Sequence, residues 1–230
     1  MNYKIIHLFF MSQKILLNAF MLVVLGTFAE AQTRFDFGVT AGVNYSSLRS
    51  DLFTTSSGRI APAIGFSFAV GLSKRFELNQ EVVFTLKGAH ARALYYLPEE
   101  APAENTYNYH YNTFETALFA GFRPSKDFPF WLQGGAFMGT HFAHLDRDPK
   151  DLRIGDYEDV NNSMAADDLN DAFSGLDFGP AVGFSVGEGH FRATARYYLG
   201  VQNLYNNLDF VPSGPHIRTS ALRMSLTYFL

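Results

Sequence analysis

The side chains that could do chemistry in this 230-residue chain are few and scattered. His110, His141, His144 and His216, with Asp146 and Asp148, fall in or beside segments that read as loops at one end of the molecule. An imidazole beside a carboxylate can act as a general base, and a nearby hydroxyl or carboxylate can act as its nucleophile. No G-x-S-x-G motif marks a nucleophile. The alternative is a set of polar rim residues with no reaction. The segment His144 to Asp171 carries Asp146, Asp148, Asp151, Asp156, Glu158, Asp159, Asp167, Asp168 and Asp171 against Arg147, Lys150 and Arg153. Oxygen-rich loops can bind Ca²⁺. The spacing is not that of an EF-hand, so a solvated acidic loop is the expectation. Tyr95, Tyr96, Tyr107, Tyr109 and Tyr111 can contact a partner or a glycan, or simply pad a rim. The chain has no cysteine, which removes disulfides and thiolate metal sites, and no cofactor or metal is expected. A net charge of −4 gives no sign of nucleic acid as a partner.

The elements that must position these groups are strands. From Ile60 to Leu72 every second residue is apolar or proline, and the intervening residues are Ala, Gly or Ser. After Ser73-Lys74-Arg75 the alternation resumes, with Phe76, Leu78, Val82, Phe84 and Leu86 against Glu77, Asn79, Glu81, Thr85 and Lys87. A period of two marks a strand with one apolar face, and two such strands joined by a short break make a hairpin. Similar strands are expected at Arg34 to Ser46, Asn112 to Phe122, Phe128 to Ala143, Ser174 to Val186, His190 to Val201, and, after a loop from Gln202 to Pro215, from there to the end. A loop of about twenty residues is expected between Gly88 and Tyr111, and a longer one from His144 to Asp171. Gln80, Val83 and Pro180 break the pattern.

The fold expected is all-β, an eight-stranded antiparallel up-and-down transmembrane β-barrel. Short and long connections alternate, as in bacterial outer-membrane barrels with short periplasmic turns and longer outer loops. Only 17% of residues are charged, against about 25% in soluble domains. The polar face is mostly Gly, Ala, Ser and Thr, which suits a cramped lumen better than a water-facing surface. Tyr45, Phe76, Phe122, Phe130, Phe142, Tyr197 and Tyr228 end the apolar face, as interfacial girdles do. The ionisable lumen residues are Arg34, Asp36, Glu77, Glu81, Lys87, Glu115, Asp177, Arg192, Arg196 and Arg223. Their signs balance, which favours a paired structural network over an ion path.

Residues 1–31 read as a secretory signal peptide. Lys4 and Lys14 precede an apolar run from Ile15 to Phe28, and Ala29-Glu30-Ala31 offers a small-x-small cleavage site. Met11 is an alternative start. Residues 32–230 then form the barrel domain.

Phe37-Gly38-Val39-Thr40-Ala41-Gly42-Val43-Asn44-Tyr45-Ser46 resembles the opening strand of the PorT-type outer-membrane β-barrel proteins of Bacteroidetes. Glu77 to Gly88, Asp177-Phe178-Gly179 and Arg196-Tyr197-Tyr198-Leu199-Gly200 resemble later strands, so the likeness spans about Arg34 to Leu230. The chain departs mildly in ending on Leu230 after Tyr228-Phe229, where a terminal aromatic is usual. The resemblance implies an outer-membrane location and contact with lipid, lipopolysaccharide and the barrel-assembly machinery. For the namesake branch it also implies a link to type IX secretion and its proteins. The function expected is a non-enzymatic membrane anchor or interaction platform acting through outer loops. The alternative is a lipid-modifying hydrolase or acyltransferase with a histidine-based rim site.

Overall fold

The computed structural model describes residues 34–50, 55–96, 103–125, 127–145, 153–155, 163–165, 175–204 and 217–230. The signal peptide expected at 1–31 lies outside the described residues. The strands are β1 (Arg34–Ser50), β2 (Thr55–Gly71), β3 (Phe76–Tyr96), β4 (Ala103–Phe122), β5 (Phe130–Leu145), β6 (Arg153–Gly155), β7 (Ser163–Ala165), β8 (Leu176–Val186), β9 (Phe191–Leu199) and β10 (Ile217–Phe229).

Eight of these close into an antiparallel barrel in the order β1-β2-β3-β4-β5-β8-β9-β10, with β10 returning to β1. The small β6–β7 ribbon is added at the far end of β3, through Tyr95↔Ile154. Closure removes the open sheet edges that lipid cannot satisfy. The short turns β2–β3, β4–β5 and β8–β9 share one end, the inner, periplasmic end. Gly189, at φ +70°, occupies the left-handed region in the last of them.

The apolar face points outward. Phe66 is 48% and Phe84 46% exposed, whereas Glu81, on the other face of β3, is 2% exposed. The girdle residues Tyr45, Phe76, Phe122, Tyr197 and Tyr228 are exposed and Phe130 half-exposed. The side chain of Phe142 lies outside the described residues. Pro180 faces outward on β8, and Gln80 is half-buried on the outward side, while Val83 points in among the polar groups. The lumen is not lined by small residues alone. Phe119, Phe137 and Tyr198 pack edge to face at its centre, with ring centroids 6.2 and 5.4 Å from Tyr198.

The alternation underestimates the strands. The loop expected between Gly88 and Tyr111 is mostly sheet: β3 and β4 stay in register from Gly88↔His110 to Tyr95↔Ala103. Past the membrane neither face needs to be apolar, so the hydropathy signal ends while the backbone ladder continues. The long connection expected from His144 likewise contains the last residues of β5 and the β6–β7 ribbon.

Candidate functional site

The polar groups that the strands turn inward form two clusters along the lumen. Near the inner end, Arg192 Nη1 donates to Glu77 Oε1 and Oε2 at 2.8 and 3.0 Å. Gln133 bridges this pair to the next, donating to Glu77 at 3.4 Å and accepting from Arg196 Nε at 2.9 Å. Arg196 also reaches Glu81 Oε1 at 2.5 Å and Asn79 Oδ1 at 2.8 Å, and lies 3.9 Å above the Phe119 ring. Asn79 in turn donates to Ser67 at 2.9 Å. Trp131 and Phe229 flank Arg192, 5.7 and 5.2 Å from it, and close the inner mouth.

In the outer half, Glu115 sits between two cations. Lys87 Nζ and Arg223 Nη2 each lie 2.6 Å from one of its oxygens. Arg223 stacks 4.5 Å over Tyr198 and donates to its hydroxyl at 3.3 Å. Farther out, Asp177 accepts from Thr219 Oγ1 at 2.5 Å and lies 3.5 Å from His141 Nε2. His141 Nδ1 meets Thr113 Oγ1 at 2.9 Å, and Tyr111 stands edge-on to the imidazole at 4.7 Å.

Of the ten ionisable residues read from the sequence, Glu77, Glu81, Lys87, Glu115, Asp177, Arg192, Arg196 and Arg223 meet in these clusters. Arg34 is exposed and Asp36 half-buried at the inner end of β1. Burial of charge is costly unless each ion finds a partner and further hydrogen bonds; Arg196 and Arg223 have both, and Arg192 has its two bonds to Glu77. Asn79, Gln133, Thr113 and Thr219 join these clusters without having been expected there. Thr113 lies directly across a strand pair from His141, which it bonds, whereas Asn79, Gln133 and Thr219 bond groups on strands that are not opposite them in register, so no spacing in the sequence marks them.

Of the histidines expected to gather at the outer rim, the side chains of His110 and His141 are the two described. His141 is buried in the lumen against Asp177 and Thr113. His110 stands opposite His144 in the β4–β5 register. The side chain of His144, and Asp146, Asp148 and His216, lie outside the described residues, as do the side chains of Tyr95, Tyr96, Tyr107 and Tyr109 and most of the acidic loop. Thr113, His141 and Asp177 have the residue types of a hydroxyl–imidazole–carboxylate relay, but the side chains of His141 and Asp177 are 0% exposed. Among the described residues no group of His, Cys, Asp and Glu can hold a metal.

Residues 29–206 match the family described as outer membrane protein beta-barrel domain. The chain belongs to this family. It is a protein of the outer membrane. Family membership accounts for the closed sheet and the exposed apolar belt together. Among curated proteins nothing matches the sequence. Three solved structures are similar in outline. Neisserial surface protein A has 13% identity and a TM-score of 0.48, over 84% of this chain and 96% of that one. Ail, the attachment invasion locus protein of Yersinia pestis, has 10% identity and a TM-score of 0.42, over 86% and 99%. OprG from Pseudomonas aeruginosa has 10% identity and a TM-score of 0.42, over 85% and 95%.

Proposed function

We propose that the barrel is a non-enzymatic anchor that presents an extended outer sheet to partners, and that it is a PorT-type protein of Bacteroidetes linked to type IX secretion. The observation that carries the platform reading is strand length. A barrel strand crosses the hydrocarbon with about 9–11 residues. β3 has 21 residues and β4 has 20, and the two remain paired to Tyr95↔Ala103. Their ends rise beyond the membrane as an ordered hairpin that β6 and β7 widen. A paired sheet keeps its shape and offers a pre-organised surface, which lowers the ordering cost of binding.

The charge network is structural in this reading. It fills a lumen that eight strands leave only wide enough for side chains. Outer-membrane lipid and lipopolysaccharide surround the exposed belt, and the barrel-assembly machinery inserts it. The zero exposure of the His141 and Asp177 side chains supports the non-enzymatic reading, because a reacting group must touch its substrate.

Replacing residues 89–109 by a two-residue turn tests the proposal. The barrel should still assemble, a partner crosslinked to the full-length protein should be lost, and secreted cargo should accumulate in the periplasm. Unchanged secretion and crosslinking would defeat the platform reading. Loss of a lipid A modification on His141→Ala, in a barrel that still folds, would replace it with the enzymatic one.

A further inference from the structure

The inner end of the barrel carries a group of cations that the lumen does not use. The β2–β3 turn presents Lys74 and Arg75, both exposed. Its shape is fixed from within: Ser73 Oγ accepts from the backbone N–H groups of Arg75 and Phe76 at 3.2 and 3.1 Å, and Leu72 N–H donates to Phe76 O at 2.9 Å. The neighbouring β4–β5 turn is tied to it, since Arg123 N–H donates to Arg75 O at 2.8 Å. Arg123 Nε is held by the carbonyls of Ser125 and Phe128, both at 3.1 Å. Its guanidinium lies 3.9 Å from Glu188, a largely exposed side chain, a separation that gives little stabilisation. Among the described residues neither Lys74 nor Arg75 has an ion-pair partner.

Directly beneath this pair of turns the surface becomes apolar. Phe76 follows Arg75, Phe122 precedes Arg123, and the two rings are a cross-strand pair with centroids 5.2 Å apart on the lipid-facing side. Both are exposed. The sequence thus sets exposed cations one residue from an exposed aromatic pair, at the level where hydrocarbon gives way to headgroups.

We infer that Lys74, Arg75 and Arg123, above Phe76 and Phe122, form a site for an anionic phospholipid of the inner leaflet. Lys74 and Arg75 hold the phosphate, Arg123 adds positive potential, and the acyl chains lie along the two rings. An arginine fork suits phosphate oxygens, and a lysine supplies a further compact charge. The charge distribution supports this orientation: the outer connection from His144 to Asp171 carries nine acidic residues against three basic ones, whereas the β2–β3 turn carries Lys74 and Arg75 with no acid.

Native mass spectrometry of the full chain released from micelles tests the site, with phosphatidylglycerol and phosphatidylcholine of matched chain length as probes. The unmodified protein should retain phosphatidylglycerol preferentially. Lys74→Gln/Arg75→Gln should lower that retention about thirtyfold, the scale expected for removing two surface cations from an anionic lipid. Arg49→Gln/Arg218→Gln, which removes the same charge at the opposite end, should leave it unchanged. Equal retention of the two lipids, or an equal loss in the control variant, would overturn the inference. Displacement of the lipid by excess inorganic phosphate would overturn it as well, because the site would then read the free anion. If the turn variant does not assemble, the comparison of the two lipids on the unmodified protein decides.

Discussion

The inner and outer halves of the lumen solve the same problem differently. Both bury carboxylates away from water. In the inner half each carboxylate has its own arginine, and the amides of Asn79 and Gln133 take up further donors of the Arg196 guanidinium. In the outer half the cations are shared unevenly. Glu115 takes both Lys87 and Arg223, and Asp177 is left with a threonine hydroxyl and an imidazole. The inner arrangement spreads its charge over many hydrogen bonds. The outer one concentrates two positive charges on a single acid, so one side chain holds that region together.

The largest effect should come from removing that acid. Glu115→Leu leaves Lys87 and Arg223 buried side by side, and breaking a buried ion pair in this way costs about 3–5 kcal/mol. Urea unfolding in micelles should show a loss in that range, or the barrel should fail to assemble. A loss under 1 kcal/mol would mean that water reaches the two cations and that the halves are alike. Glu77→Gln should cost less, about 1–2 kcal/mol, because Arg192 keeps its Trp131 and Phe229 rings and some solvent at the mouth. The same unfolding curve reads it, and a cost equal to that of Glu115→Leu would erase the distinction between the halves. Asp177→Asn should cost about 1 kcal/mol, since among the described residues no lysine or arginine is paired with it and the amide oxygen can still accept from Thr219. A much larger loss would show that His141 is charged against Asp177 and that the two form a full ion pair. The smallest effect is expected from salt. Raising ionic strength screens exposed charges but scarcely reaches buried ones. The unfolding midpoint should therefore hardly move between low and high NaCl, and a steep dependence would place the stabilising charges at the surface.

Sequence reading succeeded where the physics is local. Phe84 and Thr85 point to opposite sides because neighbouring strand residues always do, so the apolar belt and the inward charges can be listed from the alternation alone. It failed where that signal has no reason to exist. Above the membrane, His90 and Asn108 face each other in a continuous ladder, yet nothing in their hydropathy marks a strand. The alternation turns His141 inward on β5, but nothing in the sequence names Asp177 as its neighbour there.

The sequence by itself determined that the chain is a membrane barrel, which face meets lipid, and which charges must be enclosed. Each of these follows from the period-two alternation of a strand and from the scarcity of charged residues. Only the tertiary structure decided who partners whom. Glu77 and Arg192 are 115 residues apart, and Glu115 and Arg223 are 108 apart. Such pairs meet across the lumen, so they depend on closure and on the stagger of all eight strands, which no single stretch of sequence encodes.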